Sequence, residues 1–270
     1  MSKIIAIANQ KGGVGKTTTC VNLAAYISAM GKKTLVVDID PQGNASSGLG
    51  VEKRKLESSV YDVLVGDCEA SNAVVGTTVD RLSILPSNID LAGAEVELVN
   101  MPNRETVLKT VLNPLRNYYD YIFIDCPPSL ALLTVNALTA ADSILIPIPG
   151  EFFALEGLSQ LMNTIKLSKK HLNQQLDVEG VVLTMFDGRS NLTNSVADEI
   201  LKFFGKKVFK TRIPRNIRLG EAPSYGLPIM QFDPKSTGGL AYQALAEEFL
   251  TRNGNKFTPL SNPGALRVKI

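Results

Sequence analysis

Short runs of apolar residues, each bounded by polar or turn-forming residues, recur along the chain. The clearest runs cover residues 4–8, 34–37, 82–85, 121–124, 143–146 and 180–183, and a weaker one covers residues 208–209. Unbroken apolar runs are typical of strands that are buried on both faces, as in parallel sheets. We therefore predict a sheet with both faces covered.

Segments with the apolar spacing of helices lie between these runs. The spacing predicts helices over residues 17–30, 104–115, 130–141, 155–171, 190–204 and 239–252. Strands that alternate with helices form right-handed crossovers in a mostly parallel sheet. The pattern therefore predicts an α/β fold with a doubly wound, mostly parallel twisted sheet and helices on both faces.

The predicted elements form a single domain over residues 1–252. Residues 253–270 contain two glycines and two prolines and lack helical periodicity. Terminal segments are poorly ordered unless they are tied to the domain. We expect residues 253–270 to form a flexible C-terminal tail.

Composition excludes several classes of protein. The 270 residues are 44% hydrophobic and 20% charged, which is ordinary for a globular chain and excludes a disordered or fibrous one. The three cysteines are an odd number without a CxxC pair, which argues against a disulfide scaffold. No apolar run approaches the roughly 18 residues of a membrane span, and the N-terminus lacks the layout of a signal peptide. We expect a cytoplasmic protein.

Charge is unevenly distributed along the chain. Residues 1–150 carry a net charge of −3, and residues 151–270 carry a net charge of +5. The densest basic segment, residues 202–218, holds seven Lys and Arg residues and no acid. This basic stretch is either a solvated face or a contact surface for a polyanion, and both interpretations stay open at this point.

The strongest chemical signal is the segment KGGVGKTT at residues 11–18, which follows the first predicted strand and opens the first long helix. Glycines let backbone N–H groups approach phosphate oxygens, and the helix presents its positive N-terminal end to the same anion. Lys16 can reach terminal phosphates, and the Thr17 hydroxyl can ligate magnesium. This phosphate loop departs from the standard pattern, because Gln10 stands where the first glycine would fall and Lys11 precedes the glycines.

Three carboxylates follow predicted strands. Asp38 and Asp40 leave the second strand, and Asp125 leaves the strand at residues 121–124. Ligands of open parallel sheets bind beyond the carboxyl ends of the strands, so we expect these side chains to converge on the phosphate loop. Carboxylates beside a polyphosphate repel it unless a cation intervenes, and magnesium with water-mediated contacts resolves the repulsion. For each Asp taken alone, the capping of a turn is the alternative.

The motifs together resemble a known family. Residues 11–18 resemble the deviant Walker A motif of the ParA/MinD group of P-loop NTPases, and residues 38–44 and 125–130 resemble its switch segments. Residues 213–218 (IPRNIR) and 221–226 (EAPSYG) are similar to the ParA/Soj subfamily of chromosome and plasmid partition ATPases. The resemblance extends over residues 2–252.

The resemblance implies an ATPase with a weak intrinsic rate that uses ATP and magnesium. It also implies an ATP-dependent sandwich homodimer that binds double-stranded DNA without sequence preference, in association with the nucleoid. A ParB/Spo0J-type centromere-binding partner would stimulate hydrolysis and release the dimer. Such a protein has no need of a membrane partner.

The same resemblance implies roles for individual residues. Lys11 would cross to the phosphates of the other subunit, Lys16 would hold those of its own, and Asp40 would orient the attacking water. Thr17, Asp40 and Asp125 would form the magnesium site. Nucleotide binding would involve Lys11, Gly12, Gly13, Val14, Gly15, Lys16, Thr17 and Thr18, with Pro214 and Asn216 lining the adenine pocket. Arg189 and Arg218 would contact DNA.

Related proteins with other functions have sequence features that can be sought in this chain. A membrane-cycling protein such as MinD needs a C-terminal amphipathic helix, which Pro259 and Pro263 break. A reductase such as the nitrogenase iron protein needs cysteines at cluster-ligand spacing, which this chain lacks. No base-reading motif is present either, so DNA contact through phosphates is expected. An ATPase scaffold that positions a non-DNA protein cargo remains the alternative.

Overall fold

The computed structural model describes residues 2–151 and 154–260. Its strands are β1 (Lys3–Ile7), β2 (Thr34–Asp38), β3 (Val75–Gly76), β4 (Leu82–Leu85), β5 (Tyr121–Asp125), β6 (Ser143–Pro149) and β7 (Asp177–Thr184). These strands form one sheet in the order β3-β4-β2-β5-β1-β6-β7, and β3 alone among them is antiparallel to its neighbour. The predicted mostly parallel sheet is therefore confirmed.

The helices of the described residues surround this sheet. They are α1 (Lys16–Ala29), α2 (Asn44–Gly48), α3 (Val60–Val65), α4 (Ala70–Ala73), α5 (Leu91–Leu98), α6 (Val107–Leu112), α7 (Leu132–Ala140), α8 (Ala154–His171), α9 (Asn191–Phe204), α10 (Ile217–Glu221), α11 (Ile229–Phe232) and α12 (Thr237–Arg252). Within the described ranges, no helix is both long and apolar enough to cross a lipid bilayer.

Both faces of the sheet are covered, because successive strand residues point to opposite sides. In β1, Ile4 and Ala6 belong to one hydrophobic cluster, whereas Ile5 and Ile7 belong to the other. Residues of α3 to α9 complete the first cluster, and residues of α1, α2, α11 and α12 contribute to the second. The doubly wound arrangement follows from this two-sided burial.

The central strands end at a common edge. Ile7 of β1 and Asp38 of β2 both pair with Asp125 of β5, so the loops after these three strands start side by side. In open α/β sheets this carboxyl edge is where ligands bind. The sheet therefore brings the phosphate loop and the segments after Asp38 and Asp125 together.

The predicted elements differ from the observed ones in places. The six clear strand predictions are confirmed, but residues 208–209 form only an isolated bridge from Val208 to Val181. The helix predicted over residues 104–115 is confined to α6, because a 3₁₀ turn starts at Pro114, and proline does not continue a helix. Helices α2 to α5, α10 and α11 were not predicted, and none exceeds eight residues, too few for a clear periodicity.

The first part of the predicted tail contacts the domain. The Asn253 amide donates to Glu179 Oε1 at 2.8 Å, and the Asn255 amide donates to the Tyr121 hydroxyl at 2.7 Å. Phe257 and Leu260 pack against the second hydrophobic cluster, which contains residues of α1 and α12. Residues 261–270 lie outside the described residues, and the flexibility of the tail as a whole stays a prediction.

Candidate functional site

A cleft of about 890 Å³ opens at the carboxyl edge of the sheet. This volume lies within the range of small-molecule sites. The cleft is lined by the phosphate loop and the start of α1, by the segment after β2, and by residues 213–221. The lining residues are Gly12, Gly13, Gly15, Lys16, Thr17, Thr18, Asp40, Gln42, Asn44, Pro128, Thr184, Met185, Ile213, Pro214, Arg215, Asn216, Ile217, Leu219, Gly220, Glu221 and Tyr242.

The phosphate loop has the backbone of an anion site. Gly13 (φ 71°) and Gly15 (φ 87°) both adopt the left-handed backbone conformation, which is unfavourable for residues that have a Cβ atom. Gly15 caps α1 without a side-chain hydrogen bond, which leaves the first-turn N–H groups available to an anion. Val14 is not among the described residues that line the cleft: its side chain is buried, and its carbonyl accepts a hydrogen bond from the Thr184 hydroxyl at 2.8 Å.

Lys16 is a buried cation at the floor of the cleft. Its ammonium donates to the Lys11 carbonyl at 2.9 Å. Burial lowers the pKa of Lys16, and the neighbouring Asp125, Cys126 and Asp40 oppose this shift. A lysine held in this way is positioned to meet an anion in the cleft.

Asp125 lies fully buried below the cleft, next to Thr17. Neither of its carboxylate oxygens has a partner with hydrogen-bond geometry among the described residues. Burial and then the charge of Asp38 raise the pKa of Asp125 well above its usual range, and the Thr17 hydroxyl opposes the rise. A buried carboxylate whose oxygens are not fully satisfied is costly, and a hydrated cation held at Thr17 would satisfy it.

Asp40 lines the cleft and is 7% exposed. One of its oxygens accepts a hydrogen bond from the Gln42 backbone N–H at 3.0 Å. Among the described residues, no group of three or more His, Cys, Asp or Glu side chains could hold a metal by itself. Magnesium usually keeps several waters and takes only one or two carboxylates, so Thr17, Asp40 and Asp125 fit a hydrated ion beside a polyphosphate.

Asp38 serves the turn rather than the cleft. One carboxylate oxygen accepts from the Asp40 N–H at 3.2 Å, and the other accepts from the Ser46 N–H at 2.8 Å and the Ser46 hydroxyl at 2.7 Å. Burial raises the pKa of Asp38 to about 6, while the Ser46 hydrogen bonds act in the opposite direction. The turn-capping alternative therefore describes Asp38.

Pro214 and Asn216 lie on the wall formed by residues 213–221. Pro214 bridges to Phe186, which ties this wall to the end of β7. The Asn216 amide nitrogen donates to the Thr237 hydroxyl at 2.7 Å, whereas its amide oxygen is buried and has no partner among the described residues. A buried carbonyl oxygen without a donor suits a ligand that offers an N–H group, such as an aminopurine.

Lys11 is not among the residues that line the cleft of its own chain, as far as the described residues show. Its backbone N–H donates to the Asn9 side chain at 3.1 Å, and its methylenes lie against Gly157. The next residue, Gly12, is exposed, and among the described residues a Cβ there would meet only Pro128 within 4 Å, at 3.9 Å. Within that part of the chain, the front of the phosphate loop has room for a side chain.

The basic stretch contains no acidic residue, but acidic residues from outside it form ion pairs with several of its cations. Lys202 pairs with Glu199, Lys207 with Asp177, Arg215 with Glu151, and Arg218 with both Glu221 and Asp233. Arg212 stacks over the Phe186 ring at 4.3 Å. Four of the seven basic residues therefore have an acidic partner, and for Lys207, Arg215 and Arg218 a partner comes from another element.

The two predicted DNA contacts are exposed and ion-paired. The Arg189 side chain is 92% exposed and forms two hydrogen bonds of 2.9 Å with Asp187. The Arg218 side chain is 55% exposed. Exposed ion pairs contribute roughly 0–1 kcal/mol, so a DNA phosphate could replace either carboxylate. Their role as DNA contacts stays a prediction.

Several residues that line the cleft were not predicted from the sequence. Tyr242 comes from α12, far along the chain, and its buried hydroxyl lies 3.1 Å from the Thr19 hydroxyl. Thr184 and Met185 come from the end of β7. No motif marks these residues, although the rule that ligands bind beyond strand ends points to Thr184.

Known proteins share this sequence and architecture. A family model described as an AAA domain matches residues 2–178. The sporulation initiation inhibitor protein Soj of Bacillus subtilis is 58% identical over 248 residues, which cover 92% of this chain and 98% of Soj. The chromosome partitioning protein ParA of Myxococcus xanthus is 51% identical over 256 residues, which cover 95% of this chain and 90% of ParA.

A solved structure with bound nucleotide shares the fold of this chain. Cobyrinic acid a,c-diamide synthase from Mycobacterium smegmatis, with bound ADP and magnesium, matches with a TM-score of 0.82 at 36% identity. The match covers 97% of this chain and all of that one. Since the name of this structure denotes a synthase and those of the two relatives denote other cellular roles, likeness of fold does not by itself decide the biological output.

Proposed function

This chain belongs to the Soj and ParA family of chromosome-partitioning ATPases, and from that premise we propose that it is an ATP-dependent switch in DNA segregation. In this proposal, ATP joins two copies into a sandwich dimer that binds DNA without sequence preference. Slow hydrolysis, stimulated by a ParB/Spo0J-type centromere-binding partner, ends the DNA-bound state. The protein would work in the cytoplasm, in association with the nucleoid.

The residues of the cleft divide the task of holding ATP. The first-turn N–H groups of α1 and the Lys16 ammonium bind the phosphates, and Asn216 and Pro214 bind the base. Thr17 and Asp125 hold magnesium, directly and through water. Magnesium supplies the positive charge that lets carboxylates lie beside a polyphosphate. The unpartnered oxygens of Asp125 and Asn216 support this assignment.

Asp40 orients the attacking water in the proposed reaction. It lines the cleft together with the glycines of the phosphate loop. An aspartate that positions water without acting as a strong base gives a slow reaction, which suits a switch whose timing is set by a partner.

The observation that carries the dimer proposal is the position of Lys11. It lies outside its own cleft, next to the exposed Gly12, at the front of the phosphate loop. A cation supplied by a second subunit stabilises charge on the transferred phosphoryl group only after association. The affinity of the two subunits for each other would then depend on the terminal phosphate. Dimerisation would therefore be coupled to whether ATP or ADP is bound.

DNA binding is proposed for the surface that holds Arg189 and Arg218. The bridge between Phe186 and Pro214 brings the segment before Arg189 beside the segment that leads into α10, which carries Arg218. The two segments offer exposed guanidinium groups and no base-reading motif, so contacts with phosphates are expected.

One observation favours the alternative, a scaffold that positions a non-DNA protein cargo. Acids from other elements pair with three of the seven cations of the basic stretch, which weakens its attraction for a polyanion. Filter binding with a random-sequence duplex, with ATP, with ADP and without nucleotide, separates the two functions. The switch predicts ATP-dependent retention of the duplex that falls steeply with salt. Equal and negligible retention in all three conditions would favour the scaffold.

A further inference from the structure

The segment that carries Asp40 is a tight loop, residues 39–43, between β2 and α2. The Gly43 N–H donates to the Asp40 carbonyl at 2.8 Å, and the Gln42 N–H donates to the Asp40 carboxylate at 3.0 Å. Gly43 has a left-handed backbone (φ 61°) and caps α2 without a side-chain hydrogen bond. The position of the Asp40 carboxylate therefore depends on what holds this Asp40 loop in place.

The buried side of the Asp40 loop is held by a chain of hydrogen bonds. The Asp38 carboxylate accepts hydrogen bonds from Asp40 and Ser46, at the two ends of the loop. The Ser87 N–H donates to the Ser46 hydroxyl at 2.9 Å, and the Ser87 hydroxyl donates to the Asp40 carbonyl at 2.8 Å. Asp38, Ser46 and Ser87 are all completely buried, so substitutions there would disturb the core as well as the loop.

The outer side of the loop is held by Lys53, which lies on a 3₁₀ turn (Lys53–Lys55). Its ammonium donates to the Gln42 carbonyl at 2.7 Å and to the Gly43 carbonyl at 3.3 Å. The neighbouring acid Glu52 pairs with Lys55 instead, at 2.7 Å. Within the described ranges Lys53 has no carboxylate partner, so its charge is directed to these two carbonyls.

Gly43 makes this contact possible. A Cβ at Gly43 would lie 2.8 Å from the Lys53 Cδ and 2.8 Å from the Ser87 carbonyl oxygen. The lysine side chain therefore crosses the loop at a position where only glycine leaves room for it. Hydrogen bonds from a charged donor are stronger than neutral ones, and here they act on the main chain two and three residues after Asp40.

We propose that Lys53 is a positioning residue for ATP hydrolysis, which fixes the Asp40 loop by its hydrogen bonds to the Gln42 and Gly43 carbonyls. The proposal rests on the proposed function, because it assigns to Asp40 the orientation of the attacking water. Gln42 lines the cleft, so loosening the loop changes the wall beside Asp40 without removing a phosphate-binding group. Lys53 itself does not touch the nucleotide site.

The test compares three variants of the full chain. Lys53→Met removes the donors but keeps the length of the side chain, and Lys53→Arg restores a charged donor. Arg54→Met is the matched control, because Arg54 is the next residue, is exposed and has no hydrogen bond or ion pair among the described residues. For each protein we would measure kcat and KM for ATP hydrolysis with magnesium, and hydrogen exchange of peptides that cover residues 40–46.

Lys53→Met is expected to lower kcat about tenfold with KM changed less than twofold, because small displacements of a positioning group cost rate rather than binding. Exchange at residues 40–46 should rise in Lys53→Met, and Lys53→Arg should recover most of both properties. Unchanged exchange, or a fall in kcat that Arg54→Met shares, would overturn the proposal. Wild-type protein that does not hydrolyse ATP would contradict the proposed function instead, and the exchange data would still decide whether Lys53 holds the loop.

Discussion

The nucleotide cleft and the basic stretch differ in how their polar groups are satisfied. In the cleft, the buried amide oxygen of Asn216 has no partner among the described residues, and the buried Asp125 carboxylate has only the nearby Thr17 hydroxyl. In the basic stretch, exposed cations such as Lys207 and Arg218 already have acidic partners. Unpaired buried groups cost free energy unless a ligand arrives, whereas exposed ion pairs contribute little and exchange readily. The polar groups of the cleft therefore suit a bound ligand, whereas a cation of the basic stretch must exchange its acidic partner to bind one.

The largest effect is expected in the cleft, from Lys16→Ala. The substitution removes a buried cation that faces the phosphates, and loss of one partner of a buried charge pair costs 2–5 kcal/mol or more. We expect ATP binding to weaken about 100-fold or more, with loss of all nucleotide-dependent behaviour. Titration with a fluorescent ATP analogue measures this, and Lys206→Ala serves as the surface control. A Lys16→Ala protein that still dimerised with ATP would contradict the account.

An intermediate effect is expected at the exposed front of the cleft, from Gly12→Val. Because Pro128 is the one described residue within 4 Å of a Cβ at Gly12, the single chain can accept a side chain there, but a second subunit could not approach as closely. We expect ATP affinity within about twofold of wild type and no ATP-dependent dimer, since overpacking of a close interface costs about 1–3 kcal/mol or more. Gel filtration with ATP measures the outcome, and a normal dimer would show that Gly12 is not at the interface.

The smallest effect is expected on the exposed surface, from Arg189→Glu. A single phosphate contact contributes about 0.9 to the salt dependence of binding, so DNA affinity should fall about tenfold while ATP hydrolysis stays intact. Filter binding at several salt concentrations measures both the affinity and the slope. If Lys206→Glu weakened binding equally, net charge rather than the loop of Arg189 would explain DNA binding.

The same contrast explains what could be predicted from the sequence. The phosphate loop is contiguous, and its position follows from strand order, so residues 11–18, Asp40 and Asp125 were placed at one edge in advance. The balance of the basic stretch was not predictable, because its acids come from distant segments, such as Glu151 and Asp233. The place of Tyr242 in the cleft and the hydrogen bonds from Lys53 to the Asp40 loop were not predicted for the same reason. The net charge of a sequence segment therefore does not give the charge of the surface that the segment forms.

Light scattering of an Asp40→Ala protein with magnesium and ATP tests the central claim most directly, namely that ATP is shared between two copies through Lys11. Without hydrolysis, the account predicts a stable particle of twice the 29.1 kDa of one chain. It also predicts that Asp40→Ala combined with Lys11→Ala remains at the mass of a single chain. A single-chain mass for Asp40→Ala with ATP bound, or an equally stable dimer without Lys11, would contradict the account.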